Sequence, residues 1–227
     1  MTFSLKVILA RDLRAASERV AEANRNRFRQ HGVLAINLMG SPGAGKTALL
    51  EATLPRLHPR YGCTVVEGDI ATTRDGERIA ALGVPVVQLN TGGACHLDPA
   101  MVARALEELP GGGRLLFVEN VGNLVCPAEV DIGTDRTVVV FSVTEGPDKP
   151  EKYPLAFSRA DAVVLSKVDL LPHLDLRRED FLDVLGRCAP AAAVFPVSAR
   201  TGEGVDAWCA WIEAQVTNQY SHPPGEG

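Results

Sequence analysis

The sequence predicts an α/β protein whose mainly parallel sheet of about seven strands is flanked by helices. Three observations carry that expectation. Short runs rich in Val, Leu and Ile recur between residues 33 and 197. Continuous apolar runs, rather than strict alternation, fit strands covered on both faces. The stretches between them are mostly long enough for the crossover helices that parallel neighbours require. The first run also leads directly into GSPGAGKT, Gly40 to Thr47, and then into the helix-forming ALLEATL, a strand–glycine loop–helix unit.

The elements follow in order. Residues 10–31 are polar and helix-friendly, with Leu13, Val20 and Phe28 as a thin apolar stripe. They predict an amphipathic helix that packs on the main domain and stops at His31-Gly32. The strand runs are VLAINLM (33–39), CTVVEG (63–68), VPVVQL (84–89), RLLFVE (114–119), TVVVFSV (137–143), AVVLS (162–166) and AVFPV (193–197). Asp98-Pro99 marks a helix start, with Pro at the first helical position. The expected organisation is a helical extension over 1–32, a nucleotide-binding domain over 33–217 and a flexible polar tail over 218–227.

A chain of 227 residues suffices for one well-buried domain. Its net charge of -5 supplies no basic field for nucleic acid or an anionic membrane. No apolar run reaches the ~18 residues a membrane helix needs. The N-terminal apolar patch is broken by Arg11 and Asp12, which makes a poor signal peptide. A cytoplasmic protein is the expectation. The five cysteines are widely spaced and odd in number, so they read as free thiols or ligands rather than a disulfide framework.

GSPGAGKT matches G-x-x-x-x-G-K-[ST] in full, the phosphate loop of P-loop NTPases. Gly40, Ser41, Pro42, Gly43, Ala44 and Gly45 form the loop whose backbone N–H groups curl around phosphates. Lys46 reaches the β- and γ-phosphates, Thr47 holds Mg²⁺, and Ala48 continues the helix whose N-terminus favours anions. Ser166-Lys167-Val168-Asp169 then ends a strand where P-loop GTPases carry N-K-x-D. The Asp169 carboxylate suits the N1 and N2 hydrogens of guanine, which adenine does not present. Ser166 stands in place of asparagine, so its tie to the phosphate loop is expected to be weaker. PVSARTGEGV (196–205) resembles the small G-protein loop that closes over the guanine ring, which implies that role for Ser198 and Ala199. Carboxylates for Mg²⁺ and water belong at strand ends facing the γ-phosphate. Asp69 and Glu119 occupy such ends, and Gly122 has the spacing of a second-switch glycine. Asp75 is a further first-switch candidate, with helix N-capping as its competing role.

TGGACHLD, Thr91 to Asp98, is a strand-to-helix loop. In a parallel sheet such loops share the carboxyl edge, where ligands bind. The stretch ENVGNLVCP brings Cys126 to that edge as well. Cys95, His96 and Cys126 offer two thiolates and an imidazole, a donor set for Zn²⁺ or Ni²⁺. Three ligands leave a four-coordinate site incomplete, and a twofold dimer could complete it. The competing role is ordinary buried thiols and a loop histidine. Cys63, Cys188 and Cys209 read as core.

GSPGAGKT, GDIATTRDGERI, TGGACHLD, ENVGNLVCP and GPDKPEKYP together resemble the HypB-type GTPases that incorporate nickel into [NiFe]-hydrogenases. The resemblance runs from about Val33 to Val216. It implies a slow GTPase of the dimerising class, using GTP, GDP and Mg²⁺, with Ni²⁺ or Zn²⁺ at the subunit interface on Cys95, His96 and Cys126. It implies a partner nickel-binding maturation protein, a hydrogenase large subunit as client, and nucleotide state controlling dimerisation and metal release. In that scheme Lys46 and the loop stabilise phosphate charge, Thr47 and Asp69 hold Mg²⁺, and Glu119 orients a water; Lys149 lies near the nucleotide and dimer face. No cysteine precedes Cys63 and the first histidine is His31, so N-terminal nickel storage is not expected. A urease-type accessory GTPase, a regulatory GTP switch with structural cysteines, and an ATP-dependent small-molecule kinase are the competing functions.

Overall fold

A computed structural model describes residues 10–70 and 72–220. In chain order the elements are α1 (Ala10–His31), β1 (Leu34–Met39), α2 (Lys46–Tyr61), β2 (Cys63–Asp69), α3 (Arg74–Ala80), β3 (Val86–Asn90), α4 (Pro99–Glu108), β4 (Leu115–Glu119), α5 (Cys126–Glu129), β5 (Arg136–Ser142), α6 (Lys149–Lys152), α7 (Pro154–Ser158), β6 (Ala162–Ser166), α8 (Arg178–Cys188), β7 (Ala193–Val197) and α9 (Val205–Tyr220). The seven strands form one sheet in the order β3-β2-β4-β1-β5-β6-β7, and every pairing is parallel. All strand carboxyl ends therefore share one edge, and β1 delivers the phosphate loop to its middle.

The unbroken apolar runs have a direct cause: both side-chain parities of the strands are buried. Leu34, Ile36 and Leu38 face α2 and α9, packing with Leu50, Leu54, Trp208 and Ile212. Ala35 and Val118 turn to the opposite face, with Phe28 of α1 and Val102 of α4. Further along that face Val139, Phe141 and Leu165 meet Phe157 and Phe181. Each fully buried large side chain contributes about 2 kcal/mol. Trp208 is wholly buried because its indole N–H donates to Thr53 Oγ1 at 3.0 Å.

Helix α1 is anchored by Phe28 and, unforeseen in its apolar stripe, by the buried Ala21 and Asn24. The Asn24 amide donates to the carbonyls of Pro99 (2.8 Å) and Ile132 (3.2 Å). Val20 is only half-buried, and the Leu13 side chain lies outside the description. At the other end α9 continues through residues 218–220, where a flexible tail was expected to begin; residues 221–227 lie outside the described ones, as does the N-terminal patch before Ala10. Burial pushes the thiol of Cys63 up to about 12 and that of Cys209 to about 11, as befits core cysteines. Cys188 is half-buried at the edge of the α8 core. Among the described residues no helix is long and apolar enough to cross a membrane.

Candidate nucleotide and metal sites

The phosphate loop is set by backbone demands that only glycine meets. Gly43 and Gly45 take φ of 74° and 97°, the left-handed region that side chains strain to enter. A Cβ on Gly40 would lie 2.5 Å from the Val140 carbonyl oxygen, so the loop can leave β1 only beside a bare backbone. The loop opens a cavity of about 320 Å³ whose lining includes Lys46, Thr47, Glu67, Asp75 and Glu119. Lys46 is 7 % exposed, and burial lowers its pKa. Its ammonium donates to the carbonyls of Gly40 (3.2 Å) and Ser41 (3.5 Å).

Thr47 Oγ1 donates to Glu119 Oε1 at 2.8 Å, so the two sequence-predicted groups meet. Asp69 lines the same cavity, but its oxygens accept from the backbone N–H groups of Ile70 (2.6 Å) and Thr72 (3.1 Å) and from the Thr72 hydroxyl. It holds the turn after β2 while lining the phosphate cavity. Glu67 and Asp75 instead gather with Glu119, their carboxylate oxygens within 4.8 Å of one another. Asp75 sits in the first turn of α3 and accepts from Arg78 at 2.8 Å; it does not cap the helix. Glu67 and Glu119 are 2 % and 4 % exposed, and each keeps one oxygen, Oε2, without a hydrogen-bond partner. Burial, and then the neighbouring acids, push Glu67 up to about 8; burial, against the pull of Lys46, raises Glu119 to about 7. Two desolvated carboxyls with orphaned oxygens beside a threonine hydroxyl have the donor chemistry of a hard divalent cation site. Glu67 escaped the sequence reading because it lies inside an apolar strand run; an acid in a doubly covered strand was the available signal.

A second cavity, of about 290 Å³, adjoins the first through Gly45 and Ala48 and is lined by Lys167, Asp169, Ala199 and Arg200. The Ser166 hydroxyl reaches the Ala44 carbonyl at 2.5 Å. The tie to the phosphate loop is made by this one hydroxyl bond. Lys167 adopts φ 59° and donates to the Gly43 carbonyl at 2.6 Å, adding a second tie. Ser198 is fully buried, and its Oγ accepts from Thr201 N–H at 3.1 Å. It shapes the loop, while Ala199 and the unforeseen Arg200 face the cavity.

The metal-ligand candidates also converge. Donor atoms of Cys95, His96 and Cys126 lie within 4.8 Å of one another, and Cys95 Sγ is 3.6 Å from His96 Nδ1. Cys95 is exposed, which a structural thiol has no reason to be. The neighbouring Cys95 thiol raises the pKa of Cys126. The residues after β4 join the sites. Gly122 rests on the phosphate loop, where a Cβ would come within 2.9 Å of Pro42 Cγ and 3.0 Å of its Cα. Lys149 pairs with Glu145 at 2.9 Å and stacks its ammonium 4.8 Å from the Tyr153 ring centre.

Comparisons with known proteins converge on one family. The family model described as "CobW/HypB/UreG, nucleotide-binding domain" matches residues 34–196. Hydrogenase maturation factor HypB of Azotobacter chroococcum mcd 1 is 50 % identical over 213 residues, covering 93 % of this chain and 70 % of the relative. The crystal structure of hydrogenase maturation factor HypB from Archaeoglobus fulgidus superposes with a TM-score of 0.84 at 35 % identity, covering 89 % of this chain and 99 % of that one. A structure of HypB from Helicobacter pylori in complex with nickel gives 0.83 at 32 % identity, with 92 % and 99 % coverage.

Proposed function

The chain belongs to the CobW/HypB/UreG family of nucleotide-binding proteins, among its HypB hydrogenase maturation factors, and from that premise we propose that it is a GTP-hydrolysing metallochaperone delivering nickel to [NiFe]-hydrogenase. The observation that carries this reading is the gathering of Cys95, His96 and Cys126 within 4.8 Å, on loops of the same sheet edge as the phosphate cavity. Nickel is the cargo, and Zn²⁺ suits the same donors. Three ligands per chain call for a twofold dimer that completes coordination across its axis; Val125, 52 % exposed beside Cys126, suits that interface. A nickel-binding maturation protein as donor and a hydrogenase large subunit as acceptor complete the cycle, in the cytoplasm, where thiols stay reduced.

The site's own residues divide the work. Backbone N–H groups of the Gly40–Gly45 loop and the start of α2 receive the phosphates. Lys46 leaves the Gly40 and Ser41 carbonyls to meet the β- and γ-phosphates. Asp169 accepts from guanine, and Ala48 and Ala199 flank the ring. Thr47 and Asp69, with Glu67, Asp75 and Glu119 around the same cavity, would hold Mg²⁺, whose charge would offset that of the phosphates. Glu119, desolvated and bonded to Thr47, orients the attacking water. Hydrolysis depends on positioning and charge stabilisation, so turnover is slow without an ordered dimer.

A titration of the protein with Ni²⁺, read by thiolate-to-metal absorption with sedimentation to count subunits per metal, tests the reading alongside GTP and ATP hydrolysis assays. Cys95→Ala should abolish the absorption band while leaving hydrolysis intact. Metal binding indifferent to Cys95 and Cys126 would favour a regulatory switch with structural cysteines, and equal turnover of ATP would remove the guanine assignment.

A further inference from the structure

The stretch Glu119–Asn123 lies between the two sites, and its residues divide into those that anchor and those that reach across. Glu119 is bonded to Thr47 of the phosphate site. Asn120, 1 % exposed, is fixed: its Oδ1 accepts from the N–H groups of Leu97 and Val121, both at 3.0 Å, and its amide donates to Asn37 Oδ1 at 3.2 Å. The backbone next to His96 is thereby pinned to the end of β4, and Leu97 is wedged so closely on Gly68 that a Cβ there would sit 2.8 Å from its Cγ. Gly122 bears on Pro42.

Asn123 is different, because it touches both the phosphate loop and the backbone of the two loops that carry the thiol ligands. Its backbone forms a bridge with Gly40, the first residue of the phosphate loop. Its amide donates to the Cys95 carbonyl at 3.3 Å. Its Oδ1 accepts from Val125 N–H at 2.9 Å, setting the turn that presents Cys126. A displacement of the phosphate loop is therefore passed by the Asn123 backbone to its side chain and on to the loops of both cysteines, while the His96 side of the cluster stays anchored through Asn120.

We propose that Asn123 is the positioning residue through which nucleotide state sets the metal affinity of the Cys95–His96–Cys126 cluster. The proposal rests on the reading of this chain as a metallochaperone GTPase. Because Asn123 supplies no ligand atom and faces no phosphate, its loss leaves both sites able to bind. What it removes is the communication between them, a free-energy coupling that is reciprocal and commonly worth about fivefold or more in affinity.

The test measures Ni²⁺ affinity of the wild type and of Asn123→Ala, each saturated with Mg²⁺–GDP or with a non-hydrolysable GTP analogue. The wild type should show an affinity ratio of about fivefold or more between the two states. In N123A the thiolate-to-metal band should persist and analogue affinity should hold, while the ratio collapses toward one. A merely structural role would weaken both affinities together and preserve the ratio; that result overturns the proposal. A wild-type ratio of one is a separate outcome: it removes nucleotide-controlled metal release itself, and this inference with it. Should N123A fail to fold, Asn123→Ser, whose hydroxyl still accepts from Val125 N–H but is too short to hold Cys95, is read in its place with the same expected collapse.

Discussion

Replacing Glu67 by glutamine should stabilise the nucleotide-free protein at alkaline pH and do nothing for it in acid. The carboxyl is 2 % exposed, its Oε2 has no partner, and burial followed by repulsion from Glu119 raises its pKa from an ordinary 4.5 to about 8. The folded state thus binds the proton more tightly than the unfolded chain. Its contribution to stability is complete below pH 4.5, falls as pH rises, and is lost above about 8. Every tenfold gain in proton affinity is worth about 1.36 kcal/mol, which sets a ceiling of about 5 kcal/mol. The open phosphate cavity admits water, so a discounted value of about 2 kcal/mol is expected. For a domain of this size that is a rise in Tm of about 4–8 °C. The assay is thermal unfolding of wild type and Glu67→Gln in chelator, without nucleotide, from pH 4.5 to pH 8.5. A Tm gain that stays constant across this range, or no gain at pH 8.5, would refute the argument that a desolvated charge is the cause. With Mg²⁺–GTP present the order should invert at neutral pH, because glutamine is the poorer cation ligand.

Three further outcomes follow from single contacts. Ser166→Ala removes the 2.5 Å bond to Ala44 and leaves a buried carbonyl unpaired, which costs about 1–3 kcal/mol; GDP affinity, measured by titration calorimetry, should fall about tenfold or more with Ni²⁺ affinity little changed. Asp169→Asn should weaken GTP binding by about ten- to a hundredfold, the loss expected for a charge-assisted hydrogen bond, while a stopped-flow ATP control stays unaffected. Gly122→Ala puts a methyl within 3.0 Å of the Pro42 backbone, so single-turnover GTP hydrolysis should be slowed strongly in a protein whose circular dichroism is unaltered.

Much of the fold was legible because its causes are local. The seven strands lie within a few residues of their apolar runs, and Asp98 caps α4 ahead of Pro99, its carboxylate accepting from Met101 N–H. The boundary missed most clearly, the end of α9, has a physical reason: residues 218–220 are polar, but Gln219 donates to the Val33 carbonyl at 3.2 Å, and a contact from the far end of the chain extends the helix. The site divides in the same way. The phosphate loop and the Cys-His pair are contiguous motifs with a mechanism written in their spacing. Glu67 gave no comparable cue, since an acid in a strand is recognisable as special only when the neighbours that desolvate it are known. Asp69 was legible as a strand-end aspartate, while its bonds to the Ile70 and Thr72 N–H groups became visible only in the folded turn.

The chain's own order of residues therefore determined which chemistry is present: a phosphate loop, an aspartate after β6, and thiol and imidazole donors on loops of one sheet edge. Tertiary structure decided which of those groups meet. The strand order places β4 beside β1, so that Asn123 bridges Gly40 and reaches Cys95, a residue 28 positions earlier in the chain. Periodicity and spacing report on neighbours along the chain; hydrogen bonds between loops depend on which strands lie side by side, and that order is set by packing on both faces of the sheet.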